Sequence, residues 1–159
     1  MAKTYEPIAT TTLGSAAASY TFSSIPATYT DLILIHAGTV SAANDIYMRF
    51  NGDTASNYSR TLLFGNGTSA GSSRVANDTS ILWNYQDTSP STGIAHIMNY
   101  ANSTTYKTIL SRENPAAIAT AAIVGMWRNT AAITSLTVGV LAGTLSTNSV
   151  LTLYGIKAA

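Results

Sequence analysis

The sequence predicts an all-β protein, a single-domain antiparallel β-sandwich with jelly-roll-like architecture and about ten strands. Three observations lead there. Only 9% of the residues are charged, against about 25% in ordinary soluble domains, so Ser and Thr must supply most of the polar surface. Thr, Ile, Val and Tyr are plentiful while Glu, Lys and Gln are scarce, a balance that favours extended over helical backbone. β-rich runs recur at a spacing of roughly 8 to 14 residues, bounded by Gly, Pro, Asn or Ser, with no long helical pattern between them. The 159 residues suit one domain, 1–159, and a chain of this size buries about two-thirds of its unfolded surface without disulfide staples.

Residues 1–7 precede the first run and are expected to form an N-terminal arm that grips a neighbour. The strands expected along the chain are IATTTL from Ile8, SYTFS around Phe22, DLILIHAG from Asp31, DIYMRF from Asp45 and SRTLLF ending at Phe64. They continue with GIAHIMNY from Gly93, YKTILSR from Tyr106, AIATAAIVGMWR ending at Arg128, TSLTVGV from Thr134 and SVLTLYGI ending at Ile156. Side chains alternate across a strand, so Ile46, Met48 and Phe50 share one face while Asp45, Tyr47 and Arg49 share the other. Leu32, Ile33, Leu34 and Ile35 are apolar on both faces, as is the stretch from Ala121 through Trp127. Such a strand is central and covered on both sides, or presents its outer face to another subunit.

Between the strands, Asn51-Gly52 has the residues that accept the positive φ angles of tight hairpins. Ile25-Pro26 and Asn114-Pro115 interrupt strand pairing. Residues 65–73 (GNGTSAGSS) and 87–93 (DTSPSTG) read as flexible loops, and a short helical turn is expected over residues 53–58 with Asp53 as its cap. Strand order is not legible at this level.

The formal net charge of +1 supplies no electrostatic footprint for nucleic acid or for an anionic membrane surface. The absence of cysteine rules out thiol chemistry and zinc-thiolate sites. The amino terminus has no apolar run of signal-peptide length, and no 18 uncharged apolar residues run together, so the chain is expected to be soluble and made in the cytosol.

Acid–base catalysis would have to draw on Glu6, Asp31, Asp45, Asp53, Asp78, Asp87, Glu113, His36 and His96. Most of the acids stand at strand ends or in loops, where they serve as turn and cap residues. His36 shares a face with Leu32 and Leu34, and His96 with Ile94 and Met98. Two histidines without a nearby carboxylate fall short of the three or four ligands that zinc takes, so both are expected to be hydrogen-bonded core or interface residues. The one G-x-S-x-G match, Gly67-Thr68-Ser69-Ala70-Gly71, lies in a Gly/Ser-rich stretch with no helix after it to make a nucleophile elbow, and Gly65, Gly67 and Gly71 miss the dinucleotide-binding spacing. The sequons at Asn57, Asn66, Asn77 and Asn102 follow from a Ser/Thr-rich composition. Sugar stacking would use Trp83, Tyr85 and Trp127, with Trp83 expected at the surface and Trp127 in the core. No catalytic, cofactor-binding or metal residue is assigned, and the chain is not expected to be an enzyme.

Five runs in order along the chain carry a resemblance. They are TFSSIPATYTDLIL from Thr21, RFNGDTASNYS from Arg49, NYANSTTYKTILSR from Asn99, MWRNTAAITSLT from Met126 and LTLYGIKAA from Leu151. Together they resemble small β-sandwich virion proteins of tailed bacteriophages, which occur as head decoration (cement) proteins and as modules of tail fibres or tail tips. The resemblance implies a capsid decoration protein that stabilises the head by binding between major capsid subunits. Its expected partners are the major capsid protein and copies of itself, as a homotrimer or homodimer, with no cofactor. Its expected place is the capsid surface of a virion assembled in the host bacterial cytoplasm. The alternative is a tail-fibre or tail-tip module that binds a host-surface glycan. The chain shows no amino-terminal attachment domain or coiled-coil stalk, which favours the head.

Overall fold

The structure, a computed structural model, describes residues 4–113, 115 and 118–157. Twelve strands make up its regular elements: β1 (Tyr5–Thr12), β2 (Ser19–Phe22), β3 (Asp31–Gly38), β4 (Asn44–Phe50), β5 (Tyr58–Gly65), β6 (Ala70–Asp78), β7 (Ile81–Gln86), β8 (Ser91–Met98), β9 (Lys107–Glu113), β10 (Thr120–Trp127), β11 (Leu136–Val140) and β12 (Val150–Ile156). No helix occurs among the described residues.

The strands form an eight-stranded sheet, β1-β12-β3-β8-β9-β10-β5-β6, and a four-stranded sheet, β2-β11-β4-β7, every pairing antiparallel. Four pairings nest inside one another: β1 with β12, β2 with β11, β3 with β8, and β4 with β7. Successive members alternate between the sheets, which is a long hairpin rolled up, the jelly-roll arrangement. Two hairpins, β5–β6 and β9–β10, are inserted into that roll and both extend the larger sheet.

All ten expected strands are present, and β6 and β7 are additional. The segment 65–73 is therefore only in part a loop, since Ala70 onward pairs with β5. Its turn is organised by Asn66, whose Oδ1 accepts the N–H groups of Thr68 and Ser69, with Gly67 at φ 89°. Likewise Ser91 already belongs to β8. Of the expected arm, Tyr5 to Pro7 are strand residues paired with Ile156 to Tyr154, while residues 1–3 lie outside the described residues. The expected helical turn at residues 53–58 is not formed. Asp53 caps a bend instead, Oδ1 taking the Ala55 N–H at 2.9 Å. Asn51 (φ 52°) and Gly52 (φ 68°) adopt the predicted positive angles. They do not close a hairpin, because β4 and β5 lie in different sheets, and the turn carries the chain from one layer to the other.

The core lies between the sheets, where Leu32, Leu34, Ile46, Met48, Phe50, Ile81, Ile97, Ile109, Leu136, Val138, Leu151 and Leu153 are fully or almost fully buried. Each such side chain contributes roughly 1.5–3 kcal/mol. At one end Trp127 packs against Phe50 and Tyr58, ring centroids 5.5 and 6.3 Å away. Residues from three of the resembling runs meet there. Asn51 Oδ1 accepts the Thr134 and Ser135 N–H groups, and the Arg128 N–H reaches Asn57 O. Lys107 is fully buried at the start of β9, its ammonium donating to the carbonyls of Thr105 and Thr130.

Candidate functional site

Two features stand out, an uncovered apolar face on the larger sheet and a cavity beside β7. The first follows from strand alternation. In β3, Leu32, Leu34 and His36 point into the core, so Ile33 and Ile35 must point out. The cross-strand registers carry this outward row across the sheet: Tyr154 stands opposite Ile33, Ile33 opposite His96, His96 opposite Leu110, and Leu110 opposite Val124. A parallel row runs Ile35, Ile94, Arg112, Ala122, Leu63. Leu63, Val124 and Leu110 are 56%, 50% and 44% exposed. A shallow depression of about 370 Å³ lies in this face, lined by Tyr5, Ile33, Ile94, His96, Leu110 and Arg112 among others. The apolar outer face expected for β3 and β10 is therefore present, exposed at Val124 on β10 and at Leu63 and Leu110 on its neighbours but buried at Ile33 on β3.

Charge on the face is sparse. His96 Nε2 lies 2.7 Å from Asp31 Oδ2, and Asp31 Oδ1 accepts the Asn99 N–H. Arg112 makes no ion pair among the described residues.

The two histidines sit on neighbouring strands yet on opposite faces of the sheet. His36 is fully buried, with Asn84 Nδ2 3.5 Å from its Nδ1 and no hydrogen-bond partner for Nε2. Burial pushes its pKa down to about 4. They cannot share a metal ion, and the described residues contain no cluster of three His, Cys, Asp or Glu suited to one.

The second feature arises because four strands cannot cover eight. The smaller sheet ends at β7, and beyond that edge the inner faces of β10, β5 and β6 overhang. A cavity of about 320 Å³ forms there, floored by Leu62, Phe64, Ala121 and Ile123 and walled by Leu82, Tyr85, Asp45 and Glu113. Glu113 accepts the Tyr85 N–H from the free edge of β7. Burial raises the Glu113 pKa to about 7, the Tyr85 hydrogen bond opposing and the nearby Asp45 reinforcing. The Asp45 pKa is also raised by burial, against the pull of Arg60. Arg60 is itself paired with Asp78.

The aromatic residues considered for sugar stacking are placed differently from expectation in one case. Trp83 is fully buried: ILWNYQ is a strand rather than loop margin, and the indole points into the core beside Ile81. Trp127 is buried as expected, its Nε1 donating to Asp53 Oδ2. Tyr85 alone of the three reaches the surface, at the cavity. The pairing of Asp45 with Glu113 was missed by sequence reasoning, since the two stand on strands of different sheets and no spacing links them. Compared with protein-family models and with curated protein sequences, the chain matches none of either.

Proposed function

We propose that this chain is a structural protein of a tailed-phage virion, a capsid decoration protein that binds between major capsid subunits and closes on itself as a dimer or trimer. The observation that carries the reading is the apolar outer face of the larger sheet, on which Leu63, Leu110 and Val124 stand exposed. Eight strands at a spacing of about 4.8 Å, each about 25 Å long, give the whole face roughly 960 Å², room for the roughly 800 Å² that each partner contributes to a stable protein interface. A surface with so little charge offers weak protection against self-association, and closed symmetry buries such a patch once and leaves none to propagate. The virion assignment draws on the five resembling runs, and a disulfide-free rolled sandwich is mechanically suited to bridging capsid seams.

The test is immunolabelling of virions with antibody to the chain, together with the mass of the purified protein by light scattering. Dense labelling of heads and a dimeric or trimeric mass are expected. A label confined to the tail tip would replace the decoration role with the tail-module alternative, and a monomer that labels no particle would overturn the proposal.

A further inference from the structure

We propose that the cavity beside β7 binds a small organic cation, an amine or guanidinium on a short apolar stem, with Asp45 and Glu113 receiving the charged head. The inference is independent of the virion reading and rests on a surplus of carboxylates over cations in a largely apolar cavity. Glu113 is 8% exposed. One of its carboxylate oxygens takes the Tyr85 N–H, and the other has no hydrogen-bond donor among the described residues. Neither carboxylate oxygen of Asp45 has one there either. The cation that lines the same cavity, Arg60, is held by Asp78 on β6. Three carboxylates, Asp45, Glu113 and Asp78, therefore stand around a single guanidinium, and the cavity carries a surplus of negative charge.

Ligand classes can be separated by what each would leave unpaired. An anion would meet Asp45 and Glu113. A wholly apolar ligand would bury their free oxygens without a donor. A divalent metal would find two carboxylates and no third acidic, histidine or cysteine ligand grouped with them among the described residues. An ammonium or guanidinium supplies charged N–H donors, the strong kind of hydrogen bond to a carboxylate. Leu62, Phe64, Ala121 and Ile123 cover its stem, with Leu82 and Tyr85 beside them. The volume lies at the lower end of ligand cavities, about 300–1,000 Å³, which limits the stem to a short one.

Binding should also release a proton. The charged and titratable groups facing Glu113 are Asp45 from β4, Arg60 from β5 with its partner Asp78 from β6, and the Tyr85 phenol and backbone from β7. A Glu113 carboxyl that holds its proton near neutrality gives it up to accept a cation, so affinity rises with pH.

The experiment is a methyl-resolved NMR titration of the full chain with butylguanidinium chloride at pH 6 and pH 8, with 1-butanol and calcium chloride as controls. Saturable shifts are expected at Leu62, Leu82 and Ile123, tighter at pH 8. Glu113→Gln should weaken binding about tenfold or more, the loss of a charge-assisted hydrogen bond, and Asp45→Asn should weaken it as well. Folding of each variant is checked by its amide spectrum, and Asp45→Asn carries the test if Glu113→Gln does not fold. The proposal is overturned by absent saturation, by butanol or calcium shifting the same methyls as effectively, or by a folded variant that binds as tightly as the native chain.

Discussion

Trp127 Nε1 donates to Asp53 Oδ2 at 2.8 Å, tying the last residue of β10 to the bend that follows β4. The same carboxylate accepts the Ala55 N–H and the Asn57 side-chain amide, so one aspartate organises the crossing between the two sheets. Asp53→Ala strips an almost fully buried indole of its acceptor and the bend of its cap. A loss of about 2–4 kcal/mol in urea unfolding is expected, with Asp53→Asn recovering part of it. Burial pushes the Asp53 pKa up, yet the hydrogen bonds from Asn57, Trp127, Ala55 and Asn129 outweigh it and hold it below the usual carboxylate value of 3.8. Its contribution is therefore fully present above that value and is lost as pH falls below it.

His36 and Glu113 should tilt stability in opposite directions across mildly acidic pH. Between about 4 and the ordinary histidine value of 6.5, His36 is protonated only when unfolded, so stability rises with pH by roughly 3 kcal/mol over that window. Between 4.5 and about 7, Glu113 is protonated only when folded, so its share of stability falls as pH rises. The native profile should be nearly flat from pH 4.5 to 6.5. Glu113→Gln should expose the rising histidine limb and His36→Gln the falling one, read as denaturation midpoints at half-unit pH steps. Two flat mutant profiles would refute the pair of assignments.

A charge on the outer face should separate copies without unfolding them. Leu110→Lys and Val124→Lys replace exposed side chains that face out of the sheet, so the thermal midpoint should move little, as for surface substitutions of about 0.5 kcal/mol or less. Sedimentation should then find monomers. An unchanged oligomer would assign the contact to another face.

Gly155 is required by its neighbour. It lies on β12 with the Tyr29 ring directly over it, and a methyl group there would fall within the ring. Tyr29 is held in place by Glu6, to which its hydroxyl donates. Gly155→Ala should cost about 1–3 kcal/mol as an overpacked site, and Tyr29→Ala in the same chain should make the glycine substitution nearly silent, a coupling that calorimetry on the four proteins can read.

How much of this was legible residue by residue depends on whether a strand keeps the period of two. β3 does, and the run DLILIHAG coincides with Asp31–Gly38. β7 does not, because a bulge against β4 shifts the register between Ile46 and Tyr47, and Asn84 and Gln86 then turn inward after Ile81 and Trp83. A strand whose buried positions include Asn and Gln looks like a loop, and Trp83 was misplaced with it. β6, AGSSRVAND, has Val75 as its one large apolar residue, and only its hairpin with β5 makes it a strand. The cavity was hidden more deeply still, because Asp45 and Glu113 meet only after two sheets of unequal width are stacked.

The sequence by itself determined that the chain is β, that most of its strands lie where they do, and which residues share a face in the strands that keep the period of two. Those properties are local: backbone preference and side-chain alternation act over a few residues. Tertiary structure alone decided that β1 pairs with β12, that His36 and His96 lie on opposite faces, that Trp83 is inside, and that an acid pair borders an apolar cavity. Each of these depends on which distant segments pair, and pairing is chosen by the burial of whole faces across the fold, a quantity that no short window of residues contains.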